Sequence, residues 1–394
     1  MIKKPFSVIA MVMSFLIVNS AFAEKENVKV SGFGTVATAT SDSDRYQFRS
    51  DRSQAESAKK GGLAFKPLSL VGVQLDYSVS DNLDFVGQFV YREQDEQNLD
   101  SITQMAFLRY DITPSWQVRA GRLAADIFHF SDTRDVSIAY PWVKVPTEVY
   151  GIVPARSFDG GDISYTKPYD NFNLLIKGFW GSGESDFSSD DYNPIRFNNL
   201  RSIGVEFVSF DWSLALKHTQ TEADNDDEDL AVVAASVAQL QPFWSGAIDF
   251  AKEVSLKDTT IHYTSVYFNR YYDAWELSGE LSYIDSNSIA LRPSFNGFLN
   301  LSYLYGAHTF YGLYSFAKTD TYFLSQEQPG FPINESTAQL AVFVEEVASS
   351  LAHHQQTLSL GWRWDLQENL AFKVQFERTD VEARGTGLRA RDGL

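Results

Sequence analysis

From residue 28 to residue 380 the chain is made of segments of roughly ten residues in which large apolar side chains alternate with small or polar ones, the pattern of half-buried strands. In TLSLGWRWDLQENLAFKVQFERTD, residues 357–380, Leu358, Leu360, Trp362, Trp364 and Leu366 alternate with Ser359, Gly361, Arg363 and Asp365. The same rhythm sets Trp275, Leu277, Leu281 and Tyr283 against Glu276, Ser278, Glu280 and Ser282. Fifteen such strands are predicted, near 28–40, 68–79, 82–93, 101–112, 115–123, 158–167, 171–180, 199–209, 211–219, 258–269, 273–284, 296–305, 308–317, 356–366 and 369–380.

The links between them alternate in length. Short ones (78–82, 111–115, 167–171, 209–211, 271–274, 305–308, 365–369) separate long ones that include 41–67, 124–157, 181–198, 220–257 and 318–355. A meander with short turns at one end and long loops at the other is the connectivity of outer-membrane barrels. Two long loops read as partly helical, AVVAASVAQL (231–240) and STAQLAVFVEEVASSLA (336–352), the second with Ser336 and Gln339 spaced as a capping box.

Strands with two unlike faces need two unlike media. The apolar columns fit lipid, because they carry no charge and a charge on the lipid side at mid-membrane costs about 2–4 kcal/mol. Trp116, Trp212, Trp275 and Trp364 each lie beside a short turn, so they would form one ring at a membrane interface, where indoles prefer to sit. A soluble β-sandwich would turn the same columns to a protein core, but gives no reason to gather the long loops at one end. The expected fold class is therefore all-β, a transmembrane antiparallel meander β-barrel. Bacterial barrels of this kind have an even number of strands, so 16 strands are expected, with the last one apparently missing after residue 380.

The start of the chain adds a destination. MIKKPFSVIAMVMSFLIVNSAFAEK has Lys3 and Lys4, an apolar run from Val8 to Val18, and Ala21-Phe22-Ala23 before Glu24. This reads as a signal peptide, residues 1–23, leaving a barrel of residues 24–394 for the cell outer membrane. Without its two lysines the chain keeps 31 basic against 51 acidic residues, a net charge of −20. So acidic a chain is a poor partner for nucleic acid. With 0 cysteines there is no disulfide or thiolate metal site, and no cofactor is expected. Aromatics make up 14% of residues at a mean hydropathy of only −0.23, which requires the apolar residues to be dispersed by alternation.

The inner, polar columns hold the candidate chemistry. If the 111–115 turn pairs Tyr110 with Trp116, Arg109 lies opposite Gln117 and Arg119 two rows away, making a basic patch. Pairing Trp364 with Phe372 through the 365–369 turn sets Arg363 opposite Lys373. Like charges across a strand pair are destabilising by some tenths of a kcal/mol, so water, Asp365 or a facing acid must compensate. The loop 124–151 is rich in aromatics (Phe128, Phe130, Tyr140, Trp142, Tyr150) and carries Asp126, Asp132, Asp135 and Glu148. A loop of this length is usually functional. Folded into the lumen, its acids would oppose the basic wall and set a transverse field across a narrow wet passage; the alternative is a locally neutralised wall.

GRLAADIFHFSDTRDVSIAYPWVKVPTEVYG, residues 121–151, resembles the third-loop region of Gram-negative outer-membrane porins, in particular sixteen-stranded porin-like proteins of gammaproteobacteria, and the strand pattern extends the resemblance from Val28 to Asp380. The resemblance implies that 124–157 folds inward to constrict a pore. Asp126, Asp132, Asp135 and Glu148 would then form its acidic side, and Arg109, Arg119 and Arg122 its basic side, beside the wall residues Arg363 and Lys373. It also implies a homotrimer. The ending departs from the family, which closes on a strand with a terminal aromatic residue, whereas this chain ends VEARGTGLRARDGL.

The expected function is a porin, a water-filled channel for passive diffusion of small hydrophilic solutes and ions, held in outer-membrane lipid and lipopolysaccharide. An alternative is a surface receptor or adhesin whose acidic clusters, Asp186, Asp190 and Asp191 and residues 224–229, bridge lipopolysaccharide phosphates through divalent cations. A barrel enzyme is disfavoured: there is no G-x-S-x-G and no H-E-x-x-H, and the His353-His354 pair sits on a long loop.

Overall fold

The computed structural model describes residues 4–19, 27–43, 46–50, 53–54, 57, 59–94, 97–153, 155–185, 194–224, 228–254, 257–321, 324, 328, 330–350, 352–382, 388 and 390–391. Sixteen strands close into an antiparallel barrel, each paired with its neighbours in sequence. They are β1 (Lys4–Asn19), β2 (Val28–Ser41), β3 (Leu70–Ser80), β4 (Leu83–Arg92), β5 (Thr103–Thr113), β6 (Trp116–Ala124), β7 (Ser157–Pro168) and β8 (Asn173–Ser185). The second half comprises β9 (Ile195–Val208), β10 (Trp212–Asp224), β11 (Thr259–Tyr272), β12 (Trp275–Ser286), β13 (Ser294–Tyr305), β14 (His308–Thr319), β15 (His354–Gln367) and β16 (Leu370–Val381). Closure leaves no sheet edge, the condition for a strand structure to cross a bilayer.

All fifteen strands read from the alternation are present, and the expectation of a missing last strand is corrected by the closed barrel. The sixteenth strand comes from the other end: β1 pairs Met11 with Thr38 of β2 and with Val374 of β16. These are the residues read as a leader, and a chain cut after Ala23 would lose both ladders. Unlike the other strands, β1 is apolar on both faces, with Val8, Ala10 and Val12 buried inside and Ile9, Met11 and Met13 exposed outside.

Elsewhere the two faces part as alternation requires. Leu358 and Leu360 of β15 are exposed on the outer face while Thr357 and Ser359 are buried inside, so Trp362 and Trp364, two and four residues further on, also face out. At the short-turn end, Trp116 packs tilted against Tyr165 and Trp275 against Tyr303, each pair 4.7 Å between ring centroids. At the other end three helices, Glu228–Ala238, Ala247–Val254 and Glu335–Ser350, share a small core that includes Val237, Phe250, Phe331 and Val344. The last helix is capped by Asn334, whose side chain accepts from Thr337 N at 3.1 Å, rather than by Ser336. The acidic clusters at Asp186, Asp190 and Asp191 and at 225–227 lie outside the described residues.

The main core lies inside the barrel. Phe128, Tyr140, Trp142, Val149 and Tyr150 of the β6–β7 loop pack with inward side chains of the wall, among them Tyr263, Tyr267, Phe298, Tyr311 and Leu313. Trp142 is 1% exposed, meets Phe298 edge-on at 5.2 Å and donates Nε1–H to Asn300 at 2.9 Å. The aromatic loop therefore fills lumen rather than facing solvent, as burial of side chains of 150–250 Å² each favours.

Candidate functional site

The β6–β7 loop is fastened to one side of the barrel, residue by residue. Near its start, Asp126 bridges Lys177 of β8 at 2.9 Å and Lys217 of β10. Next, His129 N donates to Glu280 of β12 at 3.0 Å and Tyr150 donates its hydroxyl to the other oxygen of the same carboxylate. Glu148, 1% exposed, accepts from Ser315 Oγ of β14 at 2.8 Å and from Gln355 Nε2 and Thr357 Oγ1 of β15 at 2.5 Å each. Val143 N donates to Gln375 of β16 at 3.2 Å, and Gln375 in turn accepts from Tyr311 at 2.7 Å. Tyr311 can lie across β15 because the residue paired with it is Gly361, where a Cβ would run into the tyrosine ring.

The pair Arg363 and Lys373 is directly cross-strand, as the turn length predicts. Their repulsion is absorbed by Asp365, which accepts from Arg363 Nε at 2.8 Å, and by the loop backbone. Lys373 Nζ donates to the carbonyls of Ser137 (2.5 Å), Tyr140 (2.8 Å) and Trp142 (2.7 Å), and Arg363 Nη1 to those of Ile138 (2.9 Å) and Tyr140 (3.0 Å). Lys373 is 0% exposed. These two are therefore not water-facing wall charges; they hold the loop, and the compensating groups are carbonyls, which a sequence pattern does not display.

The opposite wall, β3 to β7, keeps its own charges in one row. Asp84, Arg109, Arg119 and Asp162 stand directly opposite one another on β4, β5, β6 and β7. The β5–β6 register differs by two residues from the expected one: Arg109 faces Arg119, not Gln117. Each arginine is held by the acid on its far side, Arg109 Nη2 to Asp84 at 2.8 Å and Arg119 Nε to Asp162 at 3.0 Å. Their side chains are still 36% and 23% exposed. Arg122 belongs elsewhere: three residues from Arg119, it lies on the opposite face of β6, bound to Asp159 at 2.9 Å and Asp100 at 2.7 Å. An odd spacing on a strand already implies opposite faces.

Thus the four loop acids do not line up against the three arginines. Asp126 meets lysines, Glu148 meets the neutral donors named above, and Asp135 meets Arg156 at 2.6 Å and Arg92 at 3.9 Å. Asp132 borders a void of about 20 Å³ with Gln88 and Met105, which Asp135 also lines. Lys177, Lys217, Glu280, Arg92 and Arg156 were not among the candidates. Each stands on the polar column of its strand or at a loop end, and only the loop's docking singles it out.

The loop titrates in opposing senses. Burial pushes the Asp126 carboxyl up, but Lys217 and Lys177 outweigh it and hold it below the usual carboxylate range. Burial, then the Asp126 charge, raises Asp132. His129, stacked on Tyr267 at 3.5 Å, is driven from 6.5 down to about 3 by burial and by Lys217. A depressed folded value means that the neutral His129 contributes stability above about pH 6.5, lost progressively as pH falls towards about 3. Asp132 works the other way, contributing below its ordinary carboxylate value and losing that as pH rises through its raised one. Acidification from pH 6.5 is thus expected to loosen the loop, read as faster proteolysis within 125–156, and His129→Phe is expected to flatten the response.

Fold and site together define a closed sixteen-stranded β-barrel with a loop folded into its lumen. No family model and no curated protein matches the chain. Among solved structures it is similar to the outer membrane channel DcaP of Acinetobacter baumannii, at 11% identity and a TM-score of 0.46 over 96% of each chain. It is also similar to Salmonella typhi OmpF in complex with daunomycin, at 9% identity and a TM-score of 0.45, covering 96% of this chain and 98% of that one. A third is OmpTdeltaL8, a loop deletion mutant of the Vibrio cholerae outer membrane protein OmpT, at 10% identity and a TM-score of 0.42 over 96% and 98%. The barrel itself rests on its own strand ladders.

Proposed function

We propose that the chain is an outer-membrane porin, passing small hydrophilic solutes and ions by diffusion along the β3–β7 wall, with no covalent chemistry. The observation that carries this reading is the asymmetry of the lumen: the loop is bound mainly to β8, β10 and β12–β16 and reaches the other wall through Asp135 and Arg92, while Arg109 and Arg119 stay partly exposed. An apolar outer band with aromatic side chains at the short-turn end supports a membrane setting. In this reading the short turns face the periplasm, the long loops face outward among lipopolysaccharide, and the barrels assemble as homotrimers. Proteoliposomes tested in neutral sugars are expected to swell at rates that fall with sugar size. Rates equal to those of protein-free vesicles for the smallest sugar would remove the pore from the account.

A receptor reading draws on one observation, the helical cap at the long-loop end, where Val232, Phe243 and Val342 are exposed. It is compatible with a pore beneath the cap.

A further inference from the structure

The apolar outer band is not equally tall all round the barrel. On β12 and β13 the outward positions stay apolar or glycine from Trp275 to Tyr283 and from Tyr303 to Phe295, a height of about 20 Å for strands tilted by about 40° at about 3.3 Å per residue. On β6 and β10 the outward run ends sooner, from Trp116 to Ala120 and from Trp212 to Leu216, and the next outward residues are Arg122 and His218. These lie only about 15 Å above their tryptophans at the same rise and tilt. Asp159 of β7 stands directly opposite Arg122, and Thr264 of β11 opposite His218. Polar and charged groups below the top of the band are unfavourable against acyl chains, so the sector β6–β11 needs a different neighbour.

The two edges of that sector differ in charge. On the first, Arg122 binds Asp159 at 2.9 Å and Asp100 at 2.7 Å, yet the two acids keep 59% and 79% side-chain exposure. Glu184 of β8 joins them on the border of a cleft of about 520 Å³. The other arginines bordering it have acids of their own, Arg196 with Asp224 at 3.6 Å and Arg92 and Arg156 with Asp135. This edge is acidic. On the second, Arg201, Gln220 and His262 stand in one outward row across β9, β10 and β11. Arg201 Nη2 donates to Gln220 Oε1 at 3.0 Å, His218 Nδ1 lies 2.9 Å from Thr264 Oγ1, and the His218 and His262 rings stack at 5.7 Å. Glu222 is held by Asn199 Nδ2 at 2.8 Å, and among the described residues no carboxylate pairs with Arg201. This edge offers N–H donors. Between the edges stands Trp180 of β8, opposite Arg201 and 65% exposed.

Resting on the assembly in the porin reading and naming its contact face, we infer that a second copy of this chain packs on β6–β11, the acidic edge of one copy against the donor edge of the next. Arg201 and His218 meet the exposed carboxylates of the first edge, so that charges at membrane depth are paired with protein rather than left to lipid. Because each copy contributes two different edges, the contact is heterologous and closes into a ring. Trp180, between the edges, lies nearest the axis of that ring.

The chain has 0 cysteines, so introduced thiols report on this contact alone. In one barrel Asp159 and His218 stand three strands apart, about 14 Å at about 4.8 Å per strand, beyond the reach of about 7 Å between Cα atoms that a disulfide allows. Outer membranes carrying the double variant Asp159→Cys with His218→Cys are therefore expected to give disulfide-linked multimers on oxidation, while neither single variant does. The pair Leu299→Cys with Phe376→Cys, on β13 and β16, should stay uncrosslinked. Arg201→Glu should raise the dissociation constant of the oligomer at least tenfold, read by light scattering across a concentration series in detergent, and heat-modifiable mobility on gels establishes that each variant is folded. An oligomer without the Asp159–His218 linkage, or one linked through β13 and β16 instead, overturns the assignment. A monomer that conducts ions overturns it too, leaving the pore standing and the polar sector to lipid headgroups. Linkage at Asp159 and His218 in a protein that does not conduct keeps the contact face and removes the pore.

Discussion

Replacing Lys373 by methionine is expected to raise single-channel conductance at least twofold and to expose the β6–β7 loop to protease. The substitution keeps most of the volume but removes the ammonium that ties the carbonyls of Ser137, Tyr140 and Trp142 to β16. The Ser137 and Trp142 carbonyls then lose their charged donor, at about 1–3 kcal/mol each if they find no other partner. Arg363 keeps two of its contacts, to Ile138 and Tyr140, so the loop should loosen rather than leave, and the double variant with Arg363→Met should open further. Conductance and protease resistance both unchanged in the double variant would mean that the aromatic packing alone holds the loop.

A second large effect is expected at Asp126. Its removal leaves Lys217 beside Lys177, which keeps Asp162 at 3.7 Å, and unpairing a buried charge such as that of Lys217 typically costs about 3–5 kcal/mol. Both lysines are partly screened, with 18% and 11% side-chain exposure, so a loss of about 3 kcal/mol in unfolding free energy is the expectation for Asp126→Asn. Adding Lys217→Met should restore much of it, because the pair then lacks its like-charge neighbour. A double variant as unstable as the sum of its parts would show that the two side chains do not act together.

The fold was largely legible because lipid imposes a simple rule on a barrel. One face of each strand must be apolar, and Leu214, Leu216, Leu281 and Leu360 announce that face without reference to any partner. The even strand count was legible too, but not the source of the last strand: β1 is apolar on both sides, so alternation does not mark it, and its start resembles a leader. Within the lumen the sequence shows which residues are polar, not which carbonyl or carboxylate will meet them. Arg363 opposite Lys373 followed from one turn, whereas Lys373 against Trp142 O joins residues 231 apart in sequence. A signal for the docking wall was present: Tyr263, Tyr267, Phe298 and Tyr311 are large aromatics on columns that should be small or polar. Aromatics on the inner face of a barrel need something to cover them, and the aromatic loop is what covers them.

The most direct measurement is single-channel conductance of the purified protein in a planar bilayer under a salt gradient. Stable open steps, with a reversal potential shifted by Arg109→Gln or Arg119→Gln, are the result predicted if ions travel along the β3–β7 wall. A folded barrel that gives no steps, or steps whose reversal potential neither substitution moves, would contradict that account.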